Sequence, residues 1–176
     1  MLITIDGLVI SRRAFGDTSC FIDIFTSEYG VIEVIAKGVK KLNNPLAQST
    51  GLFAYSSFCL NKNNLKYNIN SAKCKHVFHG LSGDLVHFSL AAYFAELIKY
   101  TQLPEQSSGE VLKAALIAFT ELEHGERHSR VKTAFEVKLI RALGIAHPEL
   151  NPEQSEMYLL EQLGRGFKTL DYYKSL

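Results

Sequence analysis

The sequence predicts an α+β chain in which a small five-stranded barrel is followed by an all-helical half. Three observations carry this. Up to about Gly80, apolar residues alternate in short runs separated by turn residues. Beyond Gly80 they recur at helical spacing, in segments closed by glycine or proline. Hydrophobic residues make up 47% of the 176, enough to build the core of one domain or of two small ones.

The period-two runs are LITIDGLVI from Leu2, CFIDIF from Cys20, VIEVIA from Val31, LFAYSSFCL from Leu52, and a last stretch around Asn68 to Val77. Between them lie turn clusters at Phe15-Gly16-Asp17-Thr18, Ser27-Glu28-Tyr29-Gly30, Asn43-Asn44-Pro45 and Asn61-Lys62-Asn63-Asn64. Five short strands in so little chain must curve strongly to close, which suits an OB-fold. Spacing alone does not separate that from an SH3-like barrel.

The helical half opens with Asp84 to Gln102, where Leu85, Phe88, Ala92, Ala95, Leu97 and Ile98 share a face and Pro104 ends the run. Ser107 with Glu110 makes a capping box before a second helix that ends at Gly125. A third runs from Ser129 to Leu143 on Val131, Phe135, Leu139 and Ile140, and closes at Gly144. A last helix starts at Asn151-Pro152, a cap followed by proline at the first helical position, and reaches Gly164. The domains expected are residues 1–80, an OB-fold barrel, and residues 81–176, a helical bundle.

Net charge is only +1, but it is unevenly spread. Met1 to Gly80 holds nine Lys or Arg against five Asp or Glu, a balance of +4, and the remainder carries −3. The basic half is therefore the side to search for a polyanionic ligand. Cys20, Cys59 and Cys74 are odd in number and widely spaced, as expected of reduced thiols in the cytoplasm. The N-terminal MLITIDGLVI is interrupted by Asp6 and lacks a basic leader, and no apolar run approaches the roughly 18 residues of a membrane span.

The strongest local feature is Gly30 to Lys41, GVIEVIAKGVKK, an alternating strand that runs into a glycine turn bearing Lys37, Lys40 and Lys41. With Arg12 and Arg13 from the first turn and Lys62 or Lys66 from the fourth, these could line one rim of the barrel. Phosphate neutralisation needs such clustered cations, and single strands add stacking on exposed aromatics. Phe15, Tyr29, Phe53, Tyr55 and Tyr67 are interleaved with the charges. Tyr29, in a turn, is the aromatic expected to be exposed, whereas Phe53 and Phe58 fit the core. The same lysines also fit an ordinary solvated face.

Cys74, His76 and His79 form at most a partial metal set, since no Cys-x-x-Cys occurs and structural zinc wants four ligands. His124 and His128 fit surface positions. No Gly-x-Ser-x-Gly, His-Glu-x-x-His or Walker loop is present, and Leu163-Gly164-Arg165-Gly166 does not follow a strand. No enzyme is expected, and no cofactor.

Several stretches together resemble the RecO family of bacterial recombination mediators. They are Asp6-Gly7-Leu8-Val9, Ile24-Phe25-Thr26 with Tyr29-Gly30, Ala36-Lys37-Gly38 with the basic residues after it, Tyr93 with Glu96-Leu97, and Ala134 to Gly144, AFEVKLIRALG. The resemblance implies an N-terminal OB-fold before a helical domain and a role without catalysis in DNA repair and homologous recombination. It implies binding of single- and double-stranded DNA and strand annealing, including on strands coated by single-stranded-DNA-binding protein. It implies work with the RecR mediator to load the RecA recombinase, in the cytoplasm and at the nucleoid. Lys37 and the basic residues after it match the family's DNA-contacting region. Two departures stand out. Family members commonly carry two cysteine pairs after the segment matching Leu143 to Leu150, whereas here Leu150 leads straight to Asn151-Pro152, so no zinc is expected and Leu159 to Leu170 resembles the final helix of a shortened form. The basic run also uses lysine where relatives are often arginine-rich, which implies salt-dependent, sequence-indifferent binding. The competing reading is a protein-interaction adaptor on the same fold that has lost DNA binding.

Overall fold

The computed structural model describes residues 1–63 and 66–176. Five strands form first: β1 (Leu2–Phe15), β2 (Ser19–Thr26), β3 (Gly30–Ala36), β4 (Ala54–Asn63) and β5 (Lys66–Val77). They close into a barrel in the order β1-β2-β3-β5-β4. Each described neighbour pair is antiparallel except β3 and β5, which run parallel with Val34 opposite Tyr67 and Ile35 opposite Asn68. This order and its single parallel closure make the barrel an OB-fold, so the SH3-like alternative falls away.

β1 continues past the expected end at Ile10. A bulge between Val9 and Ser11 bends the strand, and its second part, Ser11 to Phe15, goes on pairing with β2. β4 likewise reaches Asn63, so Asn61 to Asn63 are paired with Asn68, Tyr67 and Lys66 where a turn was expected; Asn64 lies outside the described residues.

Alternation sorts the side chains. Ile5, Val9, Cys20, Ile22, Ile24, Ile32, Val34, Ala36, Phe58 and Leu60 point inward and make the barrel core. Each fully buried side chain of this kind contributes roughly 1.5–3 kcal/mol relative to exposure. On β2 and β3 the intervening positions, Phe21 opposite Ile35 and Asp23 opposite Glu33, fall on the outer face.

Helices follow: α1 (Leu85–Thr101), α2 (Gly109–Glu123), α3 (His128–Ala142), α4 (Ser155–Leu163) and α5 (Lys168–Lys174). Asp84 caps α1 by accepting the His87 amide at 3.0 Å. That bond holds the Asp84 carboxyl below its usual pKa. Ahead of α2 the residue next to the helix is Ser108, not Ser107, and its hydroxyl turns back to the Gln106 carbonyl. Asn151 accepts the Glu153 amide at 3.0 Å over a short 3₁₀ turn at Pro152–Gln154, which leads into α4. Leu159 to Leu170 is not one helix: Gly164 takes a left-handed φ of 66° that ends α4, and α5 starts separately.

The chain divides into two compact units. One is Met1–Val77 together with Gln102–Gly109; the other is Phe78–Thr101 with Glu110–Leu176. The strap Gln102–Gly109 is bound to the β2–β3 turn, with the Glu105 amide donating to the Tyr29 carbonyl at 2.8 Å and the Ser108 amide to the Ser27 carbonyl at 2.7 Å. In the helical unit, Phe94 packs against Phe135 at a tilt, with ring centroids 4.2 Å apart, and Tyr93 meets Phe167 edge-on.

Candidate nucleic-acid interface

Lys37, Lys40 and Lys41 stand at the start of the loop from β3 to β4, where all three are exposed. The loop is held by its backbone. Gly38 adopts φ 68°, its amide donates to Ser19 Oγ, and its carbonyl accepts the Lys41 amide at 3.0 Å and Asn44 Nδ2 at 2.9 Å. The Lys40 amide donates to the Thr18 carbonyl at 2.9 Å and its ammonium to the Gly16 carbonyl at 3.0 Å. The β1–β2 turn and the lysine loop are therefore stitched together at one end of the barrel. Bonding to a carbonyl leaves the Lys40 charge intact. Among the described residues, Lys37, Lys40 and Lys41 form no ion pair, so three cations are presented without a competing carboxylate.

The other expected cations do not all join them. Arg12 and Arg13 are neighbours on β1 and therefore face opposite sides of the sheet. Arg12, opposite Ile22, lies at the same barrel end as the lysines, with Nε 3.4 Å from Cys20 Sγ. Arg13, opposite Phe21, is on the outer face, where it pairs with Glu33 and lies over the Phe21 ring at 5.7 Å. Lys62 is elsewhere, against Tyr29 at the beginning of β3, whereas the lysine loop follows its end. At about 3.3 Å per residue, that strand separates the two places by about 20 Å. A single rim holding the whole set is thus corrected to two cationic places, because Lys62 is held by Glu105 and against the Tyr29 ring, away from the lysine loop. Lys66 opens β5, and its side chain lies outside what the structure describes.

Lys62 is a partnered cation. Hydrogen bonds to Tyr67 and Glu105 hold its pKa above the ordinary lysine value, and its ammonium is 5.8 Å from the Tyr29 ring centre and 5.4 Å from that of Tyr67. The two tyrosines are structural beneath it. Tyr67 is only 6% exposed in the barrel core, and Tyr29, expected to be exposed, is half-buried against that core. Tyr55 lies apart, under Lys75, which pairs with Asp6; Phe53 is buried.

On the outer face of the barrel, Phe15 is exposed and Phe21 is half-buried. Phe15 is 49% exposed, and its ring packs against that of Phe21, tilted by 52° with centroids 4.5 Å apart. They open onto a groove of about 800 Å³ on the outer face of β2 and β3, continued by Val31 and Ile35 and walled by Pro104 and Glu105 of the strap. By sequence, Phe21 is one more apolar residue of a strand. Its place out of phase with Cys20, Ile22 and Ile24 was the available signal. In the helical unit, Arg127, Arg130, Lys138 and Arg141 gather along α3 beside a second groove, although that half of the sequence is acidic overall.

Cys20, Cys59 and Cys74 are free thiols. Among the described residues, no three of His, Cys, Asp or Glu come together as a group that could hold a metal ion, Cys74, His76 and His79 included. Likewise no described helix is long and apolar enough to cross a membrane. His124 and His128 are exposed, and His128 hydrogen-bonds the Tyr173 hydroxyl at 2.7 Å.

The fold and its rim define an OB-fold chain with a helical C-terminal unit and a cationic loop after β3. Two family models match it: Recombination protein O N terminal over residues 1–78 and Recombination protein O C terminal over residues 82–151. The chain belongs to the RecO family. It is similar to the DNA repair protein RecO of Alkaliphilus metalliredigens, with 31% identity over 147 residues, covering 82% of this chain and 59% of the relative. The DNA repair protein RecO of Acetivibrio thermocellus is 28% identical over 141 residues, 80% of this chain and 56% of that protein. That of Bacillus subtilis is 26% identical over 151 residues, 86% of this chain and 59% of that protein. The chain thus spans a little over half the length of these relatives.

Proposed function

We propose that the chain is a noncatalytic DNA-binding mediator of DNA repair and recombination, which grips phosphates with the lysine loop and the adjoining turn. The observation that carries this reading is the set of three exposed lysines at Lys37, Lys40 and Lys41, free of carboxylate partners and held by a bonded loop. Each phosphate they engage releases condensed counterions, so affinity comes from charge and is indifferent to sequence. Two complementary strands neutralised on one such surface repel each other less, which lets pairing nucleate; this is the basis proposed for annealing. Single-stranded-DNA-binding protein and the RecR mediator would meet other surfaces, the helical unit included, and recombinase loading at gaps would follow indirectly.

Salt titration of oligonucleotide binding tests it. If Arg12, Lys37, Lys40 and Lys41 each engage one phosphate, log K against log salt has a slope of about −2.8 on single strands, and affinity falls roughly fifty-fold from about 50 to 200 mM salt. The variant carrying Lys37→Glu, Lys40→Glu and Lys41→Glu should lose most of that slope. No binding at low salt, or unchanged binding by the variant, rules the reading out. Capture of single-stranded-DNA-binding protein by a chain that binds no DNA would assign it to an adaptor instead.

A further inference from the structure

We infer that Lys62, seated against Tyr29 and Tyr67, is a second phosphate site of this chain, and that the Glu105 carboxylate of the strap is a built-in competitor for it. This rests on the proposed DNA binding and deepens it, adding a contact that the lysine loop does not supply and a residue that withholds it. The site is assembled within the barrel unit from several elements. β4 brings Lys62, the β2–β3 turn brings Tyr29, β5 brings Tyr67 and the strap brings Glu105. The two tyrosine rings seat the ammonium, and the Tyr67 hydroxyl takes one of its hydrogen bonds. Another goes to Glu105 Oε1 at 3.1 Å. A phosphate oxygen is the same kind of anionic acceptor as that carboxylate, so the two compete for one position.

Two observations single out Glu105 as an occupant that can be displaced. Its backbone is left-handed, with φ 62°, a conformation that glycine adopts freely and that strains a glutamate. The strap fixes that backbone through the amide bond to the Tyr29 carbonyl, so strain is carried by the very residue that supplies the carboxylate. The Glu105 side chain is also 60% exposed and lines the outer groove beside Tyr67 and Pro104, where an anion in solution can reach the pair. Ion pairs this exposed hold weakly. Lys62 lies about 20 Å from the lysine loop, a distance that spans about six phosphates along one strand. With Glu105 in place, a strand gripped by the lysine loop meets a neutral pair there. Without that carboxylate it gains one more phosphate contact, so Glu105 holds down both affinity and salt slope.

The test measures binding of an oligo-dT single strand across salt. Glu105→Gln should bind at least about three-fold tighter than wild type at about 50 mM salt, and its slope should steepen by about 0.7, from about −2.8 to about −3.5. Glu105→Gly removes the same carboxylate and suits the left-handed backbone, so it should fold and show the same gain. Lys62→Met added to Glu105→Gln should return the slope to the wild-type value. Glu28→Gln makes the same change in net charge at an exposed residue of the β2–β3 turn and should leave the slope unchanged. Wild-type slopes in both Glu105 variants, a gain that survives Lys62→Met, or an equal gain from Glu28→Gln each overturns the inference while leaving the proposed function standing. If neither the wild type nor the Glu105 variants bind the strand, the proposed function fails and takes the inference with it.

Discussion

Replacing Lys132 by methionine should be among the most damaging single changes in the helical unit. Glu136 is fully buried, and its carboxylate accepts the Tyr93 hydroxyl and the Lys132 ammonium at 2.9 Å each on one oxygen and Ser155 Oγ at 2.7 Å on the other. Lys132 also reaches Glu156 at 2.8 Å, and Glu156 in turn pairs with Lys174. Burial and the neighbouring Glu136 push the Tyr93 phenol pKa up, so it stays a donor. Lys132→Met keeps the apolar stem but leaves Glu136 without its counter-ion, the situation that costs about 3–5 kcal/mol. Against a total stability of about 5–15 kcal/mol, and at about 2–4 °C per kcal/mol for a chain of this size, Tm should fall by about 6–20 °C. Thermal and urea unfolding followed by circular dichroism would measure it. Lys132→Met with Glu136→Gln removes both charges and should recover at least half of the loss. A single variant that costs under about 1 kcal/mol, or a double variant no better than the single, would refute the account.

Other outcomes follow from the same structure. Burial disfavours the charged forms of both Lys132 and Glu156, yet their pairing prevails and holds the Lys132 pKa above and the Glu156 pKa below the ordinary values. The Glu156 contribution is therefore present above about pH 4.5 and lost as pH falls through its depressed pKa; that of Lys132 is present below about pH 10.5 and lost as pH rises through its raised one. Urea midpoints across pH should show a plateau with two falling arms, and Lys132→Met should flatten both. Gly30→Ala should destabilise the barrel unit by more than 1 kcal/mol, roughly, because Gly30 sits at φ 60° and an added Cβ would collide with the Leu103 carbonyl. Proteolysis within Gln102–Gly109 should speed up in that variant, since the collision pushes the strap off the turn; an unchanged cleavage rate would contradict it.

The AFEVKLIRALG stretch illustrates what a resemblance can carry. It lies on α3, where Phe135, Glu136, Leu139 and Ile140 are buried, so the most recognisable segment of the chain serves packing and a buried ion network. Sequence pattern identified its apolar face from the helical period. It could not show that Glu136 faces the core, because three of its partners, Tyr93, Ser155 and Lys132, come from different turns and helices.

The same division holds for the candidate site. Period-two alternation, turn residues and helix caps are local, so the five strands, most helix limits and the lysine turn after β3 were legible in the sequence. Which cations share a surface was not. That depends on strand parity, which sends Arg12 and Arg13 to opposite faces, and on the order β1-β2-β3-β5-β4, which sets Lys62 at the far end of β3 from Lys37. Phe21 became a candidate only once its pairing with Ile35 placed both on the outside of the barrel. Local pattern determined the elements and the chemistry each carries; tertiary closure, acting through pairings between residues far apart in the chain, decided which of those chemistries meet.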